Sequence, residues 1–273
     1  MPIDEGFVEA GGNIRLLYRF QPGIVGKNLI VLLHGHGEHS GRYLKFFSRL
    51  QDLGFPIAGF DLRGCGRSGG IPVYVSRFEV YLEDLSKVVD FLKNRYGAGE
   101  RLILFGNSLG GLIATAWARE HSKQIAKLIL SSPLFGVPLG SVMKSLVEML
   151  NRVAPKFVIK NPVHPPFLTH NPQEVEKYRA DPLIRRRITI RLVHEMLRCT
   201  GRFQREEVSV PFPVYILMSE QDYVVDPQAT RRFFERLQAP TKALEGFPGF
   251  FHEIFNELGQ EKVFERLRYY LAQ

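Results

Sequence analysis

With 273 residues, 45% of them hydrophobic and 23% charged, the chain can bury one large core without a metal or a disulfide framework. Its net charge of +8 comes with no nucleic-acid-binding motif, which argues against a nucleic-acid partner. No apolar run approaches the ~20 residues that span a bilayer, and "MPIDEGFVEAGG" lacks a basic start followed by an apolar stretch, so a soluble, cytoplasmic protein is expected.

Short apolar runs rich in β-branched residues recur along the chain, at 14–20, 28–35, 56–61, 101–108, 127–133, 213–219 and 241–246. Several are continuously apolar, as strands covered on both faces should be. Helix-like segments lie between them, at 41–53, 78–95, 109–121, 227–238 and 258–271. In the second of these Phe78, Tyr81, Leu82, Leu85, Val88, Val89 and Leu92 recur at helical spacing. The alternation predicts an α/β fold with a mostly parallel, doubly wound sheet. Internal repeats and low-complexity tracts are absent from the sequence.

The alternation breaks in the middle. Residues 1–135 and 211–273 read as two parts of one α/β core, and 136–210 as a helical cap inserted over the carboxyl edge of the sheet. The insertion holds an amphipathic helix, "SVMKSLVEMLNRV", a proline-broken loop, "NPVHPPFLTHNP", and a basic helical region near 183–206. Between Ser141 and Glu207 there are 13 Lys and Arg against seven Asp and Glu, an excess of +6 that leaves +2 for the rest of the chain. Such charge suits a solvated helical face, or a surface drawn to anionic lipid or an acidic substrate. The two cysteines, Cys65 and Cys199, are expected as free thiols in a reducing compartment rather than as a disulfide.

Two motifs carry chemistry. "LLHGHGEHSGRY" places His34, His36 and His39 within six positions, which fits either a zinc cage or a glycine-bent loop whose backbone does the work. Further metal ligands at suitable positions are not apparent. The stronger motif is "LILFGNSLGG": Gly106-Asn107-Ser108-Leu109-Gly110 matches G-x-S-x-G after an apolar run and before a helical one. In so sharp a turn, side chains two residues either side of the serine would clash, and the helix N-terminus would aim N–H groups at charge developing near Oγ. Ser108 is therefore the candidate nucleophile.

A serine hydroxyl needs a base, and the base an orienting carboxylate, here in the chain order serine, acid, histidine. His252 follows the last predicted strand, whereas His121 lies at the far end of the helix after Ser108, and His164, His170 and His194 fall in the insertion. Among Glu220, Asp222 and Asp226 in "SEQDYVVDP", Asp226 precedes a proline as a helix N-cap does, and Asp222 sits in the turn itself. Asp222 is the preferred acid.

In their order, "HGHGEHSGRY", "DLRGCGRSGG", "GNSLGG", "YRADPL", "SEQD" and "GFFHEIFNE" resemble the motifs of monoacylglycerol lipases and lysophospholipase-like serine hydrolases, of the α/β-hydrolase fold and the serine aminopeptidase-like group. The resemblance covers nearly the whole chain. It implies a triad of Ser108, Asp222 and His252, with the backbone N–H groups of His36 and Leu109 as the oxyanion hole, and no cofactor or metal. It also implies an acyl ester or lipid as substrate, with an apolar stripe of Val142, Met143, Leu146, Val147, Leu150 and Val153 either lining an acyl tunnel or packing on the core. Peripheral contact of the basic cap with anionic membrane would accompany that role. Two positions depart from the family pattern: Asn107 stands where histidine is usual, and His36 where a small or apolar residue is usual. A general short- or medium-chain carboxylesterase, a thioesterase or a peptidase on the same fold are the neighbouring readings.

Overall fold

The computed structural model describes residues 3–97, 99, 101–161 and 163–273, so Met1, Pro2, Ala98, Glu100 and, in the proline-broken loop, Pro162 lie outside it. Its strands are β1 (Asp4–Glu9), β2 (Arg15–Gln21), β3 (Leu29–Leu33), β4 (Ile57–Phe60), β5 (Leu102–Asn107), β6 (Ile125–Ser131), β7 (Val158–Lys160), β8 (Arg187–Thr189), β9 (Val208–Ser209), β10 (Val214–Ser219), β11 (Leu237–Gln238) and β12 (Lys242–Phe247). The helices are α1 (Leu44–Leu50), α2 (Glu79–Tyr96), α3 (Leu109–Glu120), α4 (Ser141–Val153), α5 (Pro172–Ala180), α6 (Ile190–Phe203), α7 (Pro227–Arg236) and α8 (Glu261–Ala272).

Eight strands form one open sheet in the order β1-β2-β4-β3-β5-β6-β10-β12. From β4 to β12 all neighbours are parallel, while β2 meets both β1 and β4 antiparallel. The continuous apolar runs follow from burial on both faces. Along β3, Leu29, Val31 and Leu33 join a core with Leu85 and Val88 of α2 and Leu112 of α3. The alternate residues Ile30 and Leu32 join a second core with Phe46 and Phe47 of α1 and Val263 and Leu267 of α8. Each fully buried aliphatic or aromatic side chain here is worth about 1.5–3 kcal/mol of transfer free energy.

Every predicted strand is present, and β1 is one the apolar pattern missed. Its sequence, DEGFVE, is mostly polar because it is an edge strand whose outward side chains face water. The expected helix over 41–53 is α1 flanked by 3-10 turns at Ser40–Tyr43 and Gln51–Leu53.

Between β6 and β10 the chain runs through α4, α5 and α6. The basic region at 183–206 divides into β8, paired antiparallel with β7, and α6, which the Thr189 side chain caps by accepting from Leu192 N. The sequence did not announce α5, which Asn171 caps with Pro172 in its first turn. The apolar stripe of α4 differs from both expectations: Val147 is buried and Leu150 half-buried, but Val142, Met143, Leu146 and Val153 are exposed. Most of that stripe faces outward, neither lining a tunnel nor closing on the core. Cys65 and Cys199 are separate, buried thiols, and burial pushes both up to about 12. No helix among the described residues is long and apolar enough to cross a membrane.

Candidate active site

β5 ends at Asn107 and α3 begins at Leu109, so Ser108 alone turns the chain, with φ 51° and ψ −117°. Few non-glycine residues adopt that conformation, and here the surroundings enforce it. Ser108 N donates to Ser131 O at 3.0 Å, and Ser108 O accepts from Leu134 N at 3.0 Å and Gly111 N at 2.9 Å. The flanking glycines are sterically required: a Cβ on Gly106 would lie 2.5 Å from Gly110 O, and one on Gly110 would collide with the Leu33 carbonyl. As the first residue of α3, Leu109 has an N–H without an intrahelical acceptor.

β10 delivers Asp222 from the turn beyond its carboxyl end. Asp222 Oδ1 accepts from the N–H groups of Val224 (2.8 Å) and Val225 (3.0 Å), and Oδ2 lies 2.7 Å from His252 Nδ1. The other acids have different work. Asp226 caps α7 through Gln228 N at 2.9 Å, and Glu220 pairs with Arg231 at 2.7 Å. Burial pulls the His252 imidazole down, but the Asp222 carboxylate beside it outweighs burial and raises it above the ordinary histidine value. His121 stacks on Trp117, and His170 bonds Glu257 at 2.9 Å, so both rings are engaged elsewhere.

Ser108 and His252 line one small cavity of about 40 Å³, together with Gly35, His36 and Asn107. Val163, Leu168 and Tyr178, from the segment between β6 and β10, also line it. The loop after β3 passes directly against the serine: a Cβ on Gly35 would sit 3.3 Å from Ser108 Cβ.

The three histidines of that loop do separate jobs. His34 is fully buried, its Nδ1 2.7 Å from Gly35 O and its Nε2 accepting from Leu62 N at 2.8 Å, so both nitrogens are committed. His39 Nε2 bonds Asp181 Oδ2 at 2.8 Å, tying the loop to the "YRADPL" segment. Both ring nitrogens of His36 are buried, with only a poorly aligned approach to the Arg187 backbone among the described residues, and burial outweighs that contact and lowers its pKa to about 4, so the ring is neutral. No group of three His, Cys, Asp or Glu among the described residues is arranged to hold a metal ion.

Sequence reasoning missed the carboxylates that build this loop. Glu38, buried, accepts from Gly35 N at 2.6 Å, Tyr43 Oη at 2.7 Å, Arg42 at 2.5 Å and, weakly, Asn107 Nδ2 at 3.4 Å. Burial works to raise its pKa, but the Arg42 charge and these donors hold the carboxyl below its usual value. Asn107 thus belongs to the Glu38 cluster. The only sequence signal was a glutamate inside a glycine-bent motif, which does not by itself say that the side chain turns inward.

Residues 26–259 match the family described as serine aminopeptidase, S33. The uncharacterized protein YnbC of Escherichia coli is 29% identical over 98% of this chain, which spans 47% of that protein's length. The Homo sapiens monoglyceride lipase is 29% identical over 97% of this chain and 89% of its own. The crystal structure of the Paleococcus ferrophilus monoacylglycerol lipase superposes with a TM-score of 0.82 at 30% identity, covering 99% of this chain and 98% of that one. The family match takes in six of the eight strands of the sheet and the α4–α6 segment between β6 and β10, and with it the chain belongs to the serine aminopeptidase, S33 family, as an α/β-hydrolase of the serine ester hydrolase class.

Proposed function

We propose that the protein cleaves the acyl esters of monoacylglycerols or lysophospholipids through an acyl-enzyme on Ser108. The observation that carries this reading is a strained serine facing the same cavity as a histidine whose other nitrogen is held by a buried carboxylate 2.7 Å away. Ser108 Oγ adds to the ester carbonyl carbon while its proton passes to His252 Nε2. With Nδ1–H donating a hydrogen bond to Asp222, the neutral imidazole keeps Nε2 free to accept. The backbone N–H groups of His36 and Leu109 receive the oxyanion, each such donor typically worth about 2.7–4 kcal/mol in the barrier. Collapse expels the alcohol, which takes the proton from His252. Water, deprotonated by His252, then adds to the Ser108 ester, and collapse frees the acid as His252 returns the proton to Ser108 Oγ.

Residues 136–210 act in this reading as the cap. The cavity of about 40 Å³ has room for little more than a water molecule, so an acyl substrate enters only when Val163, Leu168 and Tyr178 move aside. The exposed Val142, Met143, Leu146 and Met149 of α4, with Phe157 beyond it, sit among Lys144, Arg152 and Lys156. Apolar and basic side chains so mixed suit an anionic lipid surface, where such substrates are met.

A fluorophosphonate probe should label the wild-type protein and leave Ser108→Ala unlabelled. A panel of monoacylglycerols, lysophospholipids and p-nitrophenyl esters of graded length should then give long-chain monoesters the highest kcat/KM. Preference for short esters, thioesters or aminoacyl amides would move the substrate to one of the neighbouring classes, and no labelling would sink the mechanism.

A further inference from the structure

A cavity of about 580 Å³ opens between α4, α6 and α7, and neither Ser108 nor His252 lines it. It lies next to the nucleophile turn all the same: Phe135 is in its wall, and the neighbouring Leu134 N–H donates to Ser108 O at 3.0 Å. Its size falls in the range of small-molecule sites, roughly 300–1,000 Å³.

The wall is cationic by construction. His194, Arg198 and Arg202 of α6 are spaced by four residues, so they stand on one helical face, and Arg205 follows just beyond the helix. Lys144 contributes from α4 and Arg232 from α7. Against these five Lys and Arg the wall carries two carboxylates, Glu148 and Asp226. Both are already engaged, Glu148 with Arg152 at 3.2 Å and Asp226 with Arg232 at 3.0 Å. Arg198 is shared between Glu79 (2.8 Å) and Glu195 (2.9 Å), and Arg202 meets Glu206 at 3.4 Å. Lys144 and Arg205 have no carboxylate partner among the described residues. The excess charge of the insertion is thus gathered in part into one concave wall.

An acyl chain gains nothing from arginines, and drawing them out of water for it costs free energy. A phosphate fits, since guanidinium forks and an ammonium can satisfy several of its oxygens with charge-assisted hydrogen bonds. We propose that this cavity binds a phosphate-bearing anion. That anion is either the headgroup of a lysophospholipid substrate or a free phosphate ester. The first alternative rests on the ester hydrolysis proposed above; phosphate binding itself does not.

The test is calorimetric titration with glycerol 3-phosphate, at low and at raised salt, of the wild type and of the Lys144→Gln/Arg205→Gln variant, whose fold is checked by thermal melting. Saturable binding is expected, weakened about tenfold or more in the variant, as loss of two charge-assisted contacts implies, and weakened by salt. No saturable binding, or equal binding by the variant, overturns the proposal. A kinetic arm separates the sources by the ratio of kcat/KM for lysophosphatidic acid to that for the monoacylglycerol of the same chain. A ratio that falls with the variant assigns the site to the substrate headgroup. An unchanged ratio beside weakened glycerol 3-phosphate binding assigns it to a free phosphate ester. Failure of the wild type to hydrolyse either lipid or to react with a fluorophosphonate would remove the esterase reading and leave the calorimetric result standing.

Discussion

Arg42 grips Glu253 with both arms of its guanidinium, at 2.7 and 2.8 Å, and Glu253 is the residue next to His252. The same guanidinium holds Glu38 at 2.5 Å, and Glu38 in turn holds the Gly35 N–H at 2.6 Å. One arginine therefore joins the loop that runs against Ser108 to the loop that carries His252. Burial opposes its charge, but the two carboxylates outweigh burial and hold the guanidinium firmly protonated.

Replacing Arg42 by methionine should leave two carboxylates facing each other out of water. Breaking a buried pair from one side typically costs about 3–5 kcal/mol, and the Arg42 and Glu253 side chains are only 10% and 9% exposed. Urea unfolding of Arg42→Met should register a loss of that order, with kcat/KM for a preferred ester falling alongside. Adding Glu38→Gln and Glu253→Gln should restore much of the stability but not the rate, because the two loops are then no longer clamped. A loss below about 1 kcal/mol would mean that the pair is no more than a surface bridge.

The raised His252 imidazole sets a direction for the pH profile. In the proposed mechanism His252 must be neutral to act as base, so kcat/KM should fall on acidification through a value above the ordinary histidine range near 6.5. In Asp222→Asn the opposing carboxylate is gone and burial prevails, so the inflection should move below that range. The rate should drop by about 10⁴, the size of the effect in the best-known Ser-His-Asp protease. Stability has its own sign. Protonation of His252 favours the folded state; its contribution is full below the unfolded value and is lost as pH rises through the raised one. An acid limb that stays put in Asp222→Asn would contradict the pairing.

His36 carries the opposite sign. Burial lowers its imidazole to about 4, so between 6.5 and about 4 the unfolded chain takes up a proton that the folded one refuses. Acidification across that window should cost on the order of 3 kcal/mol. His36→Ala should be correspondingly less sensitive to acid, read from urea midpoints at the two ends of the window. The alanine also keeps the backbone N–H, so kcat/KM should change by less than about tenfold. His36→Pro removes that N–H, and if it is the proposed oxyanion donor the loss in kcat should be about 10²–10³, the usual size for deletion of one such donor. Equal losses in the two variants would place the catalytic contribution in the ring.

What the sequence made legible follows from where its constraints are local. The turn at Ser108 could be read because sterics around Gly106 and Gly110 act within a few residues, and the strands because their apolar runs record burial on both faces. His252 and Asp222 could be picked out because they follow predicted strands, and only the fold brings them to 2.7 Å. Glu38, Arg42 and Glu253 could not, since a buried charge is tolerated only with partners, and the Arg42–Glu253 pair spans 211 positions. The amphipathic pattern of α4 gave its apolar face, but a single helix does not say whether that face meets a core, a tunnel or solvent. Likewise the basic excess of the insertion was countable, whereas the wall it makes with Arg232 needs three helices.

Ser108 stores strain that glycine would release. At φ 51° and ψ −117° its Cβ is held in a conformation L-residues avoid, a cost of about 1–3 kcal/mol. Ser108→Ala retains the Cβ and with it the strain, while Ser108→Gly retains neither Cβ nor strain, and both lack the hydroxyl. Comparing the two therefore isolates the backbone term. Ser108→Gly should melt several degrees above Ser108→Ala, at about 2–4 °C per kcal/mol for a domain of this size, although glycine's extra freedom in the unfolded chain offsets part of the gain. Both variants should lose fluorophosphonate labelling. A glycine variant melting no higher than the alanine variant would show that the turn is not strained, and that the serine needs only the two glycines beside it to stand there.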